Sequence, residues 1–289
     1  MNKNPIFGII GGSGVYQIPT LKDIESHEIE TPFGHPSSPI ITGTLNGAPV
    51  AFLARHGIGH RLSPTQVNYR ANIFALKSIG VRKIISISAC GSLRADFAPG
   101  DIVIPDQLFD FTKDRERSFF ADGLVVHISS AEPVCKDLSG VIHEAVTSSG
   151  GKVHKGGTLI TIEGPRFSTR AESSTFRSWG MDIIGMTACP EAFLAREAEL
   201  CYATMAHVTD YDVWHVTEEP VSVDMVVKTL NKNTALAQKA IQYLAEHFVD
   251  TTSCTCESAL KDAIITQRDL IPIETRTKYS LLINKYLPT

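Results

Sequence analysis

Short, uninterrupted apolar runs recur along this chain and constrain its fold more than any other feature. They occupy residues 6–10, 49–54, 83–89, 101–105, 158–162, 182–186 and 200–209. A half-exposed strand alternates apolar and polar residues, whereas a strand covered on both faces is apolar throughout. The runs therefore predict the strands of a sheet that has helices on both faces.

Helical patterns separate these runs. Apolar residues recur at helical spacing over 67–79, 138–148, 168–179, 190–198 and 221–248, the last with a break expected near 231–234. Strands that alternate with helices are typical of an α/β fold. Because no Pro-, Gly- or Ser-rich linker interrupts the chain, we expect a single domain over 1–289, with a core at about 5–249 and a helical C-terminal extension at 250–289.

Charge and composition argue against several classes of protein. The formal net charge is -4 and no stretch is densely basic, which argues against a nucleic-acid surface. No apolar run approaches the roughly 18 residues of a membrane span, and the first residues lack the regions of a secretory signal. We therefore expect a cytoplasmic protein that binds neither nucleic acid nor membrane. The six cysteines include no Cys-x-x-Cys pair, so we expect no structural zinc site.

Residues suited to oxyanion binding follow three of the predicted strands. The loop at 11–14 (GGSG) brings backbone N–H groups and a hydroxyl, the segment at 54–57 brings Arg55 and His56, and the loop at 88–92 brings small residues. Each has an ordinary alternative, namely a tight turn, a surface arginine beside a core histidine, or close packing. Together they stand at the carboxyl ends of strands, where open α/β sheets bind ligands, and they predict a phosphate site.

Two carboxylates end the last apolar run, in the segment Thr209-Asp210-Tyr211-Asp212. If the chain stays extended there, both side chains face one pocket. A protonated carboxyl donates to a purine N7, and an ionised carboxylate accepts from a 6-amino group. Protonation of N7 relieves the negative charge left when a glycosidic bond breaks, which is general acid catalysis. A helix cap or a solvated turn is the alternative interpretation of these residues.

Taken in order, these segments resemble the trimeric purine nucleoside phosphorylases, and within them the branch that cleaves S-methyl-5'-thioadenosine. The similarity runs from about residue 9 to residue 229. The matching stretches are GGSG at 11–14, TPFGHPS at 31–37, LARHG at 53–57, VNYRANI at 67–73, SACGSL at 88–93, PGDIVIPDQ at 99–107, AEPVC at 131–135, TIEGPRFSTRAES at 161–173, MTACPEA at 186–192 and VTDYDVW at 208–214. The resemblance implies a single-domain fold with a central mixed, partly barrel-like β-sheet flanked by helices.

The resemblance also implies a role for individual residues. Phosphate would be bound by Ser13, Arg55, His56, Ser88, Ala89 and Thr187. The nucleoside would contact Met186 at the ribose, Phe167 and Ile184 at the purine ring, Asp210 at N7 and Asp212 at the 6-amino group. The methylthio pocket would contain Val221, Val223, Val226 and, from a neighbouring subunit, His127, while Ser168 and Val223 match positions that select this nucleoside.

The implied reaction is the phosphate-dependent cleavage of S-methyl-5'-thioadenosine to adenine and 5-methylthioribose 1-phosphate. Inorganic phosphate is then a co-substrate, and no metal or organic cofactor is expected. Family members are trimers or pairs of trimers, so we expect a homotrimer or hexamer with each active site at a subunit boundary.

Two other functions are compatible with the same residues. A 6-oxopurine nucleoside phosphorylase, acting on methylthioinosine, inosine or guanosine, would share the fold. The carboxylate of Asp212 repels a 6-oxo oxygen, however, and so favours adenine. A protein that binds nucleosides without chemistry would not need an intact set of Arg55, His56, Thr187 and Asp210.

The sequence departs from the family pattern at a few positions. Ser88 stands where other members carry Thr, which keeps the hydroxyl, and Gly185 replaces an Asn found in some members. The segment after residue 250, which closes the methylthio pocket in other members, looks more like that of archaeal members, which end near a Cys-x-Cys and form disulfides. Cys135, Cys201, Cys254 and Cys256 match part of that set. Because a content of 20% charged residues does not suggest a hyperthermophile, we expect free thiols or a labile pair.

Overall fold

A computed structural model of the protein describes residues 7–12, 18–215, 223–247 and 254–288. Within those ranges an 11-stranded sheet forms the centre of the molecule. Its strands are β1 (Phe7–Gly11), β2 (Lys22–His27), β3 (Ile40–Leu45), β4 (Ala48–Ala54), β5 (Lys83–Ser92), β6 (Ile102–Ile104), β7 (Gln107–Phe111), β8 (Val153–Lys155), β9 (Thr158–Ile162), β10 (Ile183–Gly185) and β11 (Cys201–Asp210).

Helices cover the sheet on both faces. They are α1 (Tyr69–Ser78), α2 (Lys136–Ser148), α3 (Arg170–Ser178), α4 (Ala188–Glu197), α5 (Val223–His247), α6 (Ile273–Lys278) and α7 (Ser280–Ile283), with 3₁₀ turns at Pro64–Gln66, Thr255–Ser258 and Arg268–Leu270. One apolar core lies between the sheet and helices α2 and α5, and another lies beneath α1 and α4. The predicted α/β fold with a mixed central sheet between helices is confirmed.

Four parallel strands form the middle of the sheet in the order β4, β1, β5 and β11. Ile10 of β1 lies opposite Leu53 of β4 and Ser86 of β5, and Ser86 lies opposite Thr204 of β11. These strands are buried almost throughout, as their continuous apolar sequences predicted. Because the strands run the same way in close register, their carboxyl ends meet at one edge of the sheet.

Antiparallel neighbours make the sheet mixed. Strand β3 runs antiparallel to β4, β2 to β3, β10 to β5 and β6 to β11. Strand β5 branches the sheet, because it pairs with three other strands. One of its edges pairs with β11 along nearly its whole length. Its other edge pairs first with β1 at residues 84–86 and then with β10 at residues 91–92.

Several elements differ from the sequence-based prediction. Strands β2, β3, β7 and β8 were not predicted, since each contains partly or fully exposed residues and therefore lacks a continuous apolar run. The segment at 88–92 was predicted as a loop, but it continues strand β5 to Ser92. The break expected near 231–234 was wrong, because α5 is one helix through those residues.

Residues 254–288 pack against the segment around residues 119–127. The ring of Tyr279 is fully buried beside Phe33, Phe119 and Phe120, with its centroid 5.6 Å from that of Phe120. The backbone N–H of His127 donates to the Ala263 carbonyl at 2.8 Å. That this segment also caps the active site stays a prediction. Among the described helices, none has both the length and the apolar character needed to cross a bilayer.

Replacing Tyr279 by Ala tests how firmly this segment is attached. The change removes a fully buried aromatic ring, and we expect it to lower the free energy of unfolding by about 3–5 kcal/mol. Ile273→Ala is the matched control, because the side chain of Ile273 is 82% exposed and its loss should cost less than about 0.5 kcal/mol. Urea denaturation of both variants measures the difference, and equal stabilities would contradict the described packing.

Candidate active site

The predicted anion-binding segments converge where the parallel strands end. Gly11 ends β1 opposite Ala54, the last residue of β4, and the N–H of Arg55 donates to the Gly11 carbonyl at 3.0 Å. Ser88 of β5 lies two residues beyond Ser86, which is itself opposite Ile10. The structure therefore places 11–12, 54–57 and 88–89 side by side.

Strand β5 has a gap in its pairing at this point. Among the described residues, the edge that pairs with β1 up to Ser86 and with β10 from Gly91 has no strand partner in between. Backbone groups of successive strand residues point to opposite edges. The Ile87 carbonyl accepts from Arg55 and so faces the gap, whereas the Cys90 carbonyl accepts from Thr209 of β11 and so faces the other edge. Ala89 alternates with Cys90, and its N–H therefore points to the same edge as Ile87, toward the gap. A half-buried backbone donor facing a gap is suited to an oxyanion.

Arg55 lies beneath this gap and is almost completely buried, at 2% exposure. Its Nε and Nη2 donate to the two carboxylate oxygens of Glu191 at 2.7 and 2.9 Å. Its remaining contacts include Ser86 Oγ at 2.7 Å and the Ile87 carbonyl at 3.0 Å. Burial lowers the pKa of Arg55, but the charge and hydrogen bonds of Glu191 outweigh burial and raise it overall. Arg55 is therefore a fixed cation, and most of its guanidinium N–H groups already donate to other groups of the protein.

His56 follows and is neutral at physiological pH. Burial, assisted by the positive charge of Arg55, lowers the pKa of His56 to about 4. Its Nδ1 lies 2.9 Å from the Leu62 carbonyl, which can only accept, so Nδ1 carries the ring proton. In that tautomer Nε2 is an acceptor, suited to the P–OH group of a monohydrogen phosphate. The His60 ring stacks on His56 with centroids 4.2 Å apart.

Thr187 and Met186 belong to the turn that leads into α4. Thr187 precedes the first residue of that helix, and its side chain is buried without capping the helix. Arg115, also buried, donates to the carbonyls of Met186 and Cys189, each at 2.7 Å. These two hydrogen bonds hold the turn before α4 in a fixed position.

Asp210 and Asp212 are both buried, at 7% and 6% exposure. Strand β11 ends at Asp210, and Asp212 has a positive φ of 50°, so the chain turns here. The N–H of Asp212 donates to Asp210 Oδ1 at 2.8 Å. The chain is therefore not extended at this point, and a turn closed by that hydrogen bond places both side chains beside Gly91.

The surroundings of Asp210 favour a retained proton. Burial raises the pKa of Asp210, although hydrogen bonds from Thr209 and the Asp212 backbone partly oppose it. The Thr209 hydroxyl lies 2.6 Å from Asp210 Oδ2 and 3.2 Å from the Cys90 carbonyl. The Thr209 hydroxyl has one hydrogen and cannot fully donate to both the Asp210 carboxylate and the Cys90 carbonyl. If Asp210 carries a proton, it donates to the Thr209 hydroxyl, which is then free to donate to the Cys90 carbonyl.

Asp212 has an oxygen ready for a ligand. Its Oδ2 is buried and has no hydrogen-bond partner among the described residues. Burial raises the pKa of Asp212, the Ser173 hydroxyl opposes that shift, and the charge of Asp210 adds to it. A buried acceptor without a donor is costly, so a ligand N–H at this point would be stabilising.

Gly91 packs closely against the aspartates and leaves no room for a side chain of its own. A Cβ placed on Gly91 would lie 2.9 Å from Asp210 Oδ1 and 3.0 Å from a methyl carbon of Ile184. Phe167 is 37% exposed, and the buried hydroxyl of Ser168 has no hydrogen-bond partner within the ranges described. The structure thus brings Asp210, Asp212 and Ile184 together around Gly91.

Four of the predicted site residues have side chains outside the described part of the structure. Ser13 and Val221 lie outside the described residues, and for Val223 and Val226 only the helical backbone is described. His127 is exposed on the surface of the chain. Their proposed contacts with phosphate or the methylthio group stay predictions.

Glu191 and Arg115 also hold the site together, and neither was among the residues predicted from the sequence. Glu191 is fully buried, and a charged residue within the apolar stretch of a helix was a signal that could have identified it. Arg115 lies in a polar segment rich in charges, where nothing distinguishes it from a surface arginine.

Comparison with known proteins places these features in a family. The model of the phosphorylase superfamily matches residues 6–249. An S-methyl-5'-thioadenosine phosphorylase of Geobacter sulfurreducens is 50% identical over 283 residues, which is 98% of this chain and 99% of that protein.

Solved structures give the same result. A methylthioadenosine phosphorylase from an antarctic soil metagenomic library has a TM-score of 0.91 at 47% identity, covering 97% of this chain and 100% of the other. A mutant of the adenosine/methylthioadenosine phosphorylase from Schistosoma mansoni, in complex with methylthioadenosine, has a TM-score of 0.82 at 35% identity, covering 89% and 96%.

Glu191→Gln tests the buried ion pair. The variant leaves the charge of Arg55 buried without its partner, and we expect a loss of about 3–5 kcal/mol in the free energy of unfolding. Glu132→Gln is the control, because Glu132 pairs with Lys136 on the surface. Its replacement should lower the free energy of unfolding by less than about 0.5 kcal/mol. Chemical denaturation of the two variants provides the measurement, and a small loss for Glu191→Gln would mean that the pair is not what holds Arg55.

Proposed function

Because the chain belongs to the phosphorylase superfamily, we propose that it is a pentosyltransferase that splits S-methyl-5'-thioadenosine with inorganic phosphate. The products are adenine and 5-methylthioribose 1-phosphate, so the enzyme acts in purine and methionine salvage. The observation that carries this proposal is 50% identity over 98% of the chain to a relative of that name. The two buried aspartates around Gly91 supply the chemistry that such a reaction needs.

Phosphate is proposed to bind in the gap along β5. The Ala89 N–H, the Ser88 hydroxyl, Thr187 and Ser13 donate to it, and His56 Nε2 accepts from its remaining P–OH. Arg55, already paired with Glu191, acts mainly as a fixed positive charge close to the anion. Donors and charges held in place before the substrate arrives stabilise the transition state without rearrangement.

Bond breaking is proposed to begin at the sugar. The C–N glycosidic bond lengthens, its electron pair moves to the purine, and positive charge develops on the ribosyl centre. Phosphate stabilises that charge and then bonds to the anomeric carbon. Asp210 donates a proton to N7 as adenine leaves, and Asp212 Oδ2 accepts from the 6-amino group.

The remaining contacts complete the proposed site. Met186 lies against the ribose, while Phe167 and Ile184 flank the purine. Ser168 and Val223 select the nucleoside, and Val221 and Val226 line the methylthio pocket with His127 of a neighbouring subunit. The exposed position of His127 supports a role between subunits, in a homotrimer or a pair of trimers. We propose that no metal or organic cofactor takes part in the chemistry, and a cytoplasmic location stays a prediction.

The competing functions receive less support. A phosphorylase for 6-oxo nucleosides would place the 6-oxo oxygen of its substrate against the unpartnered Asp212 Oδ2. Both oxygens are hydrogen-bond acceptors, so this contact would be repulsive. A non-catalytic binding protein would have no need for a buried carboxyl whose pKa is raised at the leaving group.

Asp210→Asn tests the proposed acid. An amide cannot supply the proton to N7, so kcat for methylthioadenosine should fall by about 10²–10⁴-fold while the protein stays folded. Asp262→Asn, at an exposed position, is the control and should retain the full rate. A near wild-type rate for Asp210→Asn would refute the assignment.

The pH profile separates this role from a structural one. Burial raises the pKa of Asp210, so the active protonated form persists to higher pH than that of an exposed aspartate. The wild-type rate should therefore fall as pH rises through that pKa, and this fall should be absent from the residual rate of Asp210→Asn.

Asp212→Asn tests the choice of base. Replacing the acceptor Oδ2 by an amide donor should lower kcat/KM for methylthioadenosine by about 10–100-fold and raise that for methylthioinosine. The ratio of the two, measured by base release with and without phosphate, is the informative quantity. An unchanged ratio would show that Asp212 does not contact position 6.

A further inference from the structure

Four cysteines that the proposed reaction does not use meet at one point of the structure. The sulfur atoms of Cys135, Cys201, Cys254 and Cys256 all lie within 4.8 Å of one another. The sulfurs of Cys201 and Cys254 are 3.1 Å apart. Three of the four side chains are buried and that of Cys254 is half-buried.

These cysteines come from separate parts of the chain. Cys135 is the residue that precedes α2, and Cys201 is the first residue of β11. Cys254 and Cys256 belong to the 3₁₀ turn that begins the C-terminal segment. The two core positions are joined through the backbone, because the N–H of Cys135 donates to the Tyr202 carbonyl at 2.8 Å.

The arrangement matches the ligand set of a tetrahedral soft metal ion. Zinc binds four thiolates at about 2.3 Å, which puts each pair of sulfurs about 3.8 Å apart. Disulfides join sulfurs two at a time at about 2.0 Å and do not require all four at a common point. Four sulfurs within 4.8 Å of one another are close to the first geometry.

The position of Cys135 suits a thiolate ligand. Cys135 directly precedes the first residue of α2, where the helix dipole stabilises a negative charge. The four sulfur atoms lie close enough together that one cation between them would contact all of them.

We propose that Cys135, Cys201, Cys254 and Cys256 bind one zinc ion in a structural tetrathiolate site that fastens the C-terminal segment to the sheet. Each thiol that coordinates the ion releases its proton, so one Zn²⁺ and four thiols give a site of net charge 2− and four protons. The earlier expectation of no zinc site rested on the lack of a Cys-x-x-Cys pair, a spacing that ligands from three separate segments do not need.

Metal content is the first measurement. The full-length protein, expressed with zinc and purified with a reductant and without chelators, should contain about one zinc per chain. The double variant Cys254→Ser, Cys256→Ser should lose this zinc. Cys90→Ser removes another buried cysteine outside the cluster and should keep it.

Cobalt(II) exchange keeps the proposal testable if the double variant does not fold. Wild-type protein stripped with a chelator and given Co²⁺ should develop the visible bands of tetrahedral cobalt and a sulfur-to-metal charge-transfer band, and added Zn²⁺ should abolish both. Stripping should also lower the Tm, with recovery on addition of zinc.

Thiol counting in denaturant decides between the outcomes. Wild-type protein purified with a reductant should contain one zinc before a chelator is added. After the chelator is added, all six of its cysteines should react as thiols. Protein without zinc and with six thiols would overturn the proposal in favour of free cysteines. Protein without zinc and with fewer thiols would overturn it in favour of disulfides. None of these results depends on catalysis, so they leave the phosphorylase proposal unaffected.

Discussion

The buried ion pair between Arg55 and Glu191 connects the elements that build the site. Arg55 follows β4 and contacts carbonyl oxygens of both β1 and β5, while Glu191 extends from α4 and also accepts from Tyr202 of β11. Removing two charges from water is costly, and only a fully bonded geometry repays that cost. The pair therefore connects four strands with the first turn of α4, and this rigidity supports the proposal of preorganised phosphate binding.

Burial, more than mutual repulsion, governs the paired aspartates. It is the largest influence on the pKa of both, and the charge of Asp210 adds only a lesser contribution at Asp212. The turn at Asp212 also gives the two groups different hydrogen bonds, since Asp210 contacts Thr209 and the Asp212 backbone while Asp212 Oδ2 stays unpartnered. These different surroundings support the proposal that Asp210 serves as the acid and Asp212 as the acceptor, and under that proposal rate and base selectivity are separable properties.

The gap in the pairing of β5 and the C-terminal segment show how the sheet provides more than a scaffold. The gap exists because β1 and β10 pair with separate parts of one edge of β5, which leaves residues 87–90 without a described strand partner on that edge. At the other end of the same sheet, Cys201 begins β11 within reach of the C-terminal cysteines. The proposed phosphate site and the proposed metal site therefore lie at opposite ends of the central strands.

The sequence by itself determined the α/β class, the buried central strands and the grouping of anion-binding segments at strand ends, because continuous apolar runs and local residue chemistry are written along the chain. It did not predict edge strands such as β2, whose exposed residues lack that pattern. Only the tertiary structure decided that Glu191 neutralises Arg55, that a turn unites Asp210 with Asp212, and that four distant cysteines converge. Each of these depends on contacts between residues far apart in sequence or on a local turn that spacing does not specify.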